Sequence, residues 1–281
     1  MVTHTSSLPS TTRRALAFAS IGALALTLAA CATPDTTASA VSESTQAPAA
    51  QWSYTGANGP EHWGEVGAAC ENTSTSHESP IAIDTTTLAT HPSPTAVIPD
   101  YHPADFDLEN NGHTIEAIPI DTDENAVIFQ GTRYTLQQFH FHATSEHIID
   151  GVPAAAELHL VHKAPDESLL VLGVLLQPGA TNTELTEIFH SLPATVSDEG
   201  EALTQKVNPS RLLPDTRASV QYDGSLTTPP CSEGVQWNVY LTPVTISDTQ
   251  LNNFTTLYPD NHRPTQPLHD RTLTHVGPDK G

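Results

Sequence analysis

His140 and His142 lie two residues apart in the stretch Gln138-Phe139-His140-Phe141-His142. On a β-strand, residues i and i+2 share a face. Both imidazoles then point one way, and Phe139 and Phe141 point the other. The pair is half of a metal site; taken alone, it fits two packed histidines equally well. A third histidine stands in Glu157-Leu158-His159-Leu160-Val161-His162, where a strand puts Glu157, His159 and Val161 on one face. If the two strands are neighbours, His159 joins His140 and His142 on a common surface. Three neutral imidazoles with a fourth position open are the donor set of a catalytic zinc, whose charge lets a bound water ionise near neutral pH. Glu157 can accept a ring N–H from a ligand and fix its tautomer, or it is an ordinary ion-pair partner.

The elements that must position these side chains read mainly as strands. Residues 125–143, 154–164 and 168–177 are apolar or alternating runs bounded by Gly, Pro and Asp. Helical periodicity is confined to 182–192 and 247–258. The second helix opens on Ser247 with Gln250 three residues later, the pattern of a capping box. With 23 prolines and 15 glycines joining them, the runs predict a mainly β single domain. Its core is a large, mostly antiparallel twisted sheet of about ten strands with a few peripheral helices.

The N-terminal segment reads differently. Arg13 and Arg14 precede an apolar run ending in Leu28-Ala29-Ala30-Cys31. A positive patch followed by a short apolar stretch is the pattern of a secretory signal, and the ending resembles a lipobox, with lipidation at Cys31. The arginine pair is also a loose match to twin-arginine export. Residues 31–50 are small and polar and cannot bury enough surface to order themselves. As a flexible tether they span roughly 25 Å. The expected division is a signal over 1–30, a tether over 31–50 and a catalytic domain over 51–281. The expected location is outside the cytoplasm, lipid-anchored to the cell envelope on its extracytoplasmic face or in the periplasm.

Removing residues 1–30, which contain two arginines and no acid, takes the formal charge from −22 to −24. So acidic a chain has nothing with which to neutralise phosphates, which argues against nucleic acid as a partner. Of three cysteines, one is assigned to the lipid. Cys70 and Cys231 remain, an even pair in an exported protein, and read as a disulfide. Closing so long a loop contributes about 4–5 kcal/mol on a chain-entropy estimate.

Blocks along the whole of 52–270 resemble the α-class carbonic anhydrases: "WSYTGANGPEHWGE", "SPIAID", "NNGHTIE", "QFHFHATSEH", "AAELHLVHKA", "SLTTPPCSEGVQW" and "NHRPTQPL". Their order and spacing match together, which a lone histidine pair does not. The resemblance implies a zinc enzyme that reversibly hydrates CO2 to bicarbonate and a proton by zinc-bound hydroxide. It implies that His140, His142 and His159 bind Zn²⁺, with Gln138 and Glu157 behind them. Thr227 would accept the hydroxide's proton and donate its own to Glu146, which accepts only when ionised. His113 would carry the proton to solvent, since histidine titrates near neutral pH, with Tyr54 and Asn111 in the water network. Val161, Val171, Leu226, Thr228, Val235 and Trp237 would form the CO2 pocket, and bonds before Pro80 and Pro230 would be cis. The resemblance to bacterial members also admits a homodimer.

The sequence departs from the family at Glu78, Glu116, Ala143, Thr144 and His262. Glu116 adds a carboxylate to the expected cavity wall, and Glu78 and His262 leave the packing near Pro80 and behind the site open. The alternative function is a catalytically silent surface binding module on the same fold. Such a module typically lacks a zinc ligand, whereas all three, with Thr227 and Glu146, stand here.

Overall fold

Alternation of aromatic and imidazole side chains decides how the central strands sit. Thr132–His142 and Ala156–Lys163 pair antiparallel, with His159 opposite His140, Leu158 opposite Phe141 and Glu157 opposite His142. Phe139, Phe141, Leu158 and Leu160 enter one hydrophobic core beneath the sheet, so the histidines must face the other side. Full burial of each of these side chains is worth about 1.5–3 kcal/mol, and this fixes which face is which.

The computed structural model describes residues 52–90 and 95–277. The expectations for the signal, the tether and Cys31 lie outside the described residues. Among the described residues one sheet holds twelve strands, ten of them in a continuous path. That path runs Ser197–Ala202, Phe106–Asn110, Ile115–Pro119, Thr132–His142, Ala156–Lys163, Leu169–Pro178, Glu233–Ile246, Ser219–Ser225, Thr274–Val276 and Ala89–Thr90. Leu169–Pro178 and Glu233–Ile246 run parallel at its centre, as do Thr274–Val276 and Ala89–Thr90 at its edge. The sheet is therefore mixed, although most of its pairs are antiparallel.

The apolar run over 125–143 is two strands rather than one. Ala126–Phe129 turns back through Gln130 and Gly131, both at positive φ (50° and 82°), into Thr132–His142. Such a two-residue turn follows the twist of the flanking strands, and glycine relieves its second position. Of the expected helices, Asp248–Leu257 forms with its capping box complete: Ser247 Oγ accepts from the Gln250 N–H, and Gln250 Oε1 accepts from the Ser247 N–H. The helix expected over 182–192 shrinks to Thr186–His190. Phe189 and Phe254 from these helices pack on Phe141 at 4.9 and 5.7 Å between ring centres, closing the core behind the histidine strand.

A second apolar cluster lies on the other side of the sheet around Ile81, Val171, Val235 and Trp237. Cys70 and Cys231 are joined in a disulfide across 161 residues. The bonds before Pro80 and Pro230 are cis, as expected, and so is that between Ala143 and Thr144.

His162 is buried on the core side. Its Nδ1 donates to the Leu170 carbonyl at 3.2 Å and its Nε2 accepts from the Tyr101 hydroxyl at 2.6 Å. Burial holds its pKa down to about 4, so the folded state keeps it neutral. An unfolded chain protonates it near pH 6.5. Its contribution is therefore fully present above pH 6.5 and is lost as pH falls towards 4, by about 3 kcal/mol in all. His162→Gln is expected to be less stable at pH 7 and to lose stability less steeply between pH 6.5 and 4. Denaturant unfolding across that range measures the difference in slope; parallel curves for the two proteins would refute it.

Candidate active site

The register described above brings His140, His142 and His159 together, with one nitrogen of each lying within 4.8 Å of the others. The outer nitrogen of every ring is already engaged. His140 Nδ1 donates to Gln138 Oε1 at 2.8 Å, and His142 Nδ1 to the Asn261 carbonyl at 2.7 Å. His159 Nε2 donates to Glu157 Oε1 at 3.0 Å. These partners set the tautomers and leave Nε2, Nε2 and Nδ1 as the free acceptors. His142 Nε2 is buried and has no hydrogen-bond partner, which is costly for a polar atom unless something else meets it.

Burial is the first cause holding all three pKa values down: His140 well below its usual value, His142 to about 4, and His159 by less because Glu157 opposes the shift. Neutral imidazole is the form that binds a metal. The donor set, its protonation state and the unpartnered nitrogen all fit a divalent ion of zinc's preference for nitrogen ligands.

Glu157 is fully buried and doubly held. Its Oε1 accepts from His147 Nδ1 at 2.7 Å as well as from His159, and its Oε2 accepts from the His147 N–H at 2.8 Å. Burial pushes the carboxyl up, but the electrostatic pull and hydrogen bonds of the His147 and His159 rings outweigh it and leave the pKa well below the ordinary range. His147 Nε2 continues to the Tyr222 hydroxyl at 2.7 Å. Glu146 has the opposite balance: burial raises it, and the nearby His159 ring, the Arg263 N–H and the Thr227 hydroxyl only partly offset this. Its Oε1 accepts from the Arg263 N–H at 2.8 Å, while Oε2 completes no hydrogen bond and lies 3.9 Å from His159 Nδ1.

The histidine cluster and Thr227 line a cavity of about 210 Å³. Val161, Val171, Leu226, Thr228 and Trp237 make one wall, and Tyr54, Asn111, His113 and Glu116 make the other. Val235 is not among the residues that line the cavity. Two residues before Trp237 and on the same face, it is buried in the apolar cluster that includes Val171 and Trp237. Asn111 does more than face water. Its Oδ1 accepts from the N–H groups of His113 and Thr114, both at 2.9 Å, and its Nδ2 donates to Glu116 Oε1 at 2.9 Å. It thus shapes the turn that presents His113 and occupies the added carboxylate. Burial raises the Glu116 pKa and lowers that of His113.

Three contributors escaped the sequence reading. Trp52 stacks on His113 with ring centres 3.6 Å apart. Arg263 holds Glu146 through its backbone. Asn261 supports His142 with its carbonyl, binds Ala143 with N and Oδ1, and donates from Nδ2 to the His113 and Phe141 carbonyls at 3.1 and 3.0 Å. Both Asn261 and Arg263 lie in the block "NHRPTQPL", but backbone groups do much of the holding, and residue type does not announce that.

A mixed sheet thus carries, at the base of a half-apolar cavity, three histidines that could hold a metal ion. Comparison with known proteins is specific. The family model described as "Eukaryotic-type carbonic anhydrase" matches residues 58–277. A carbonic anhydrase of Klebsiella pneumoniae is 41% identical over 231 residues, covering 80% of this chain and 91% of the relative. One of Neisseria gonorrhoeae is 39% identical, covering 79% and 86%. The α-carbonic anhydrase of Thermovibrio ammonificans, solved with the inhibitor sulfanilamide, superposes with a TM-score of 0.73 at 38% identity, covering 80% of this chain and 98% of that one. The Photobacterium profundum α-carbonic anhydrase gives the same score and identity, with coverage of 80% and 100%. The chain belongs to the carbonic anhydrase family and is an enzyme of that family, whose members depend on zinc and act on CO2 and bicarbonate.

Glu157→Gln keeps the shape but removes the charge that orients His159. It is expected to weaken Zn²⁺ binding by about 10–100-fold, measured by competition with a chelator. Unchanged affinity would show that Glu157 serves packing alone.

Proposed function

We propose that this enzyme interconverts CO2 and bicarbonate with Zn²⁺ held by His140, His142 and His159. The observation that carries the reading is the engaged outer nitrogen on every ring, with the buried Nε2 of His142 left unpartnered. In this cluster Zn²⁺ supplies the charge that ionises a water molecule near neutral pH.

The chain's own groups do the rest. Thr227 Oγ accepts a hydrogen bond from the attacking oxygen and donates its own O–H to Glu146, which accepts when ionised, so the attacking lone pair is aimed without any proton changing hands. The direction of that chain is set because Glu146 Oε1 is taken by the Arg263 N–H, leaving Oε2 for Thr227. Val161, Val171, Leu226 and Trp237 offer CO2 an apolar wall, which suits a molecule with no net dipole, and the Thr227 N–H is placed to receive an oxygen. His113, half-buried at the opposite wall and stacked on Trp52, takes the released proton through water near Tyr54 and Asn111 and gives it to solvent.

Location is the second part of the proposal. Support comes from Arg13, Arg14, the apolar run and the ending at Cys31, which together favour an exported enzyme lipid-anchored to the cell envelope. Mass spectrometry of the purified native protein is expected to find an acylated N-terminal Cys31; an intact Met1 or a cleavage elsewhere would overturn the anchor.

Stopped-flow CO2 hydration before and after stripping and restoring zinc tests the activity. Fast hydration should disappear with the metal and return with it. A folded, zinc-loaded protein that does not hydrate CO2 would leave the silent binding module as the better reading. His113→Ala should lower turnover in weak buffer by about tenfold. That falls short of the roughly hundredfold or more typical of general acid–base groups, because water accepts the proton in its place. Added imidazole should restore the rate, and unchanged turnover would remove His113 from the proton path.

A further inference from the structure

Glu78 sits where two segments of the site meet, and both segments are tied to it. Arg263 Nη1 donates to Glu78 Oε2 at 2.6 Å and to the Ser79 carbonyl at 2.8 Å, and the guanidinium lies over the Trp63 ring at 5.6 Å. On the other side Ser225 Oγ donates to the Leu226 carbonyl at 2.7 Å and lies 3.4 Å from Glu78 Oε2, and its tie to this segment runs through Ser79. The Ser225 N–H donates to Ser79 Oγ at 3.1 Å, and the Ser79 N–H donates back to Ser225 Oγ at 2.9 Å. Ser225 is two residues before Thr227, and the backbone N–H of Arg263 is the group that holds Glu146 at 2.8 Å. Glu78 therefore links the strand end that carries Thr227 to the peptide that carries the Glu146 contact.

The pair is almost wholly buried, at 1% exposure for Glu78 and 2% for Arg263. A buried ion pair is a poor way to gain stability, since apolar residues of like volume often serve as well. Here Glu78 Oε1 and Arg263 Nε also complete no hydrogen bond, which makes stability a weaker reason for it still. What the pair supplies is orientation. A guanidinium fixed by its fork and its flat face, just before Pro264, which restricts the backbone of Arg263, cannot turn its peptide away from Glu146.

We propose that Glu78 is a positioning residue. Its ion pair with Arg263 fixes the N–H that holds Glu146, and so keeps Glu146 in register with Thr227. The reading rests on the proposed reaction, but its structural half is tested without metal. In zinc-free protein followed by NMR, Glu78→Ala is expected to move the amide proton of residue 263 upfield and to speed its exchange about tenfold. In zinc-loaded protein it should lower kcat/KM for CO2 hydration about tenfold, while the buffer dependence governed by His113 stays as it was. Glu78→Gln, which keeps an acceptor oxygen for Arg263, should recover most of both.

A folded Glu78→Ala with the 263 amide unmoved overturns the proposal, as does one with the amide moved and kcat/KM intact. If that variant does not fold, Arg263→Lys keeps the charge and the peptide N–H but loses the fork. It should show the same displaced amide, and an undisplaced one overturns the proposal equally. Should the unsubstituted protein fail to hydrate CO2, the reaction falls, and the metal-free amide shift still decides whether Glu78 positions Glu146.

Discussion

The antiparallel register that sets His159 opposite His140 is the constraint on which the rest of the site depends. A slip of one residue in either strand would exchange faces. Phe139, Phe141, Leu158 and Leu160 would come out of the core, and the imidazoles would enter it. The same register places Glu157 opposite His142, within reach of both His147 and His159. Apolar burial on one face thus enforces polar geometry on the other, and the strap at Asn261 completes it by seating His142. A site carried on paired strands is held more rigidly than one on connecting segments.

Two buried carboxylates a few ångströms from the same imidazoles are driven in opposite directions. Both are fully removed from water. Glu157 meets two imidazoles and a backbone N–H, and its pKa falls well below the ordinary range; Glu146 meets one N–H fully and has a free oxygen, and burial raises its pKa. The contrast follows from the number of partners rather than from depth. The residue with its oxygens committed serves to hold a ring still, and the residue with one oxygen free keeps an acceptor open towards Thr227.

Much of this was legible in the sequence because it is carried by side-chain type and spacing. The alternation in 138–142 and 157–162 told which face each histidine takes, and Ser247 with Gln250 marked a helix start that the structure reproduces. The hairpin at Gln130 and Gly131 was missed: its positive-φ requirement falls on a glutamine, a weak turn former, inside an otherwise continuous alternating run. The helix expected over 182–192 was overstated because periodicity there is spent on one buried turn around Ile188 and Phe189. Val235 shares a face and an apolar cluster with Trp237, as its type and block suggest, though the cavity itself is lined by its neighbours Val171 and Trp237. Asn261 holds His142 through its carbonyl and Arg263 holds Glu146 through its N–H, groups that every residue owns, so residue type does not announce those two contacts.

The disulfide and the strap at Asn261–Arg263 also bear on how the molecule comes into being. Cys70 is bonded to Cys231, Glu78 pairs with Arg263, and Asn261 seats His142. The seat of His142 and the contact that holds Glu146 therefore wait for a chain segment more than a hundred residues away. Contacts of such long range are slow to close, since loop entropy is spent before they form. The central ladder of histidine strands is comparatively local and can form early, with Gln138 and Glu157 setting the tautomers of His140 and His159, but that of His142 is undetermined until Asn261 arrives. An emerging chain would thus own three histidines long before it owned a selective metal centre, and metal selectivity would arise only as the fold is completed.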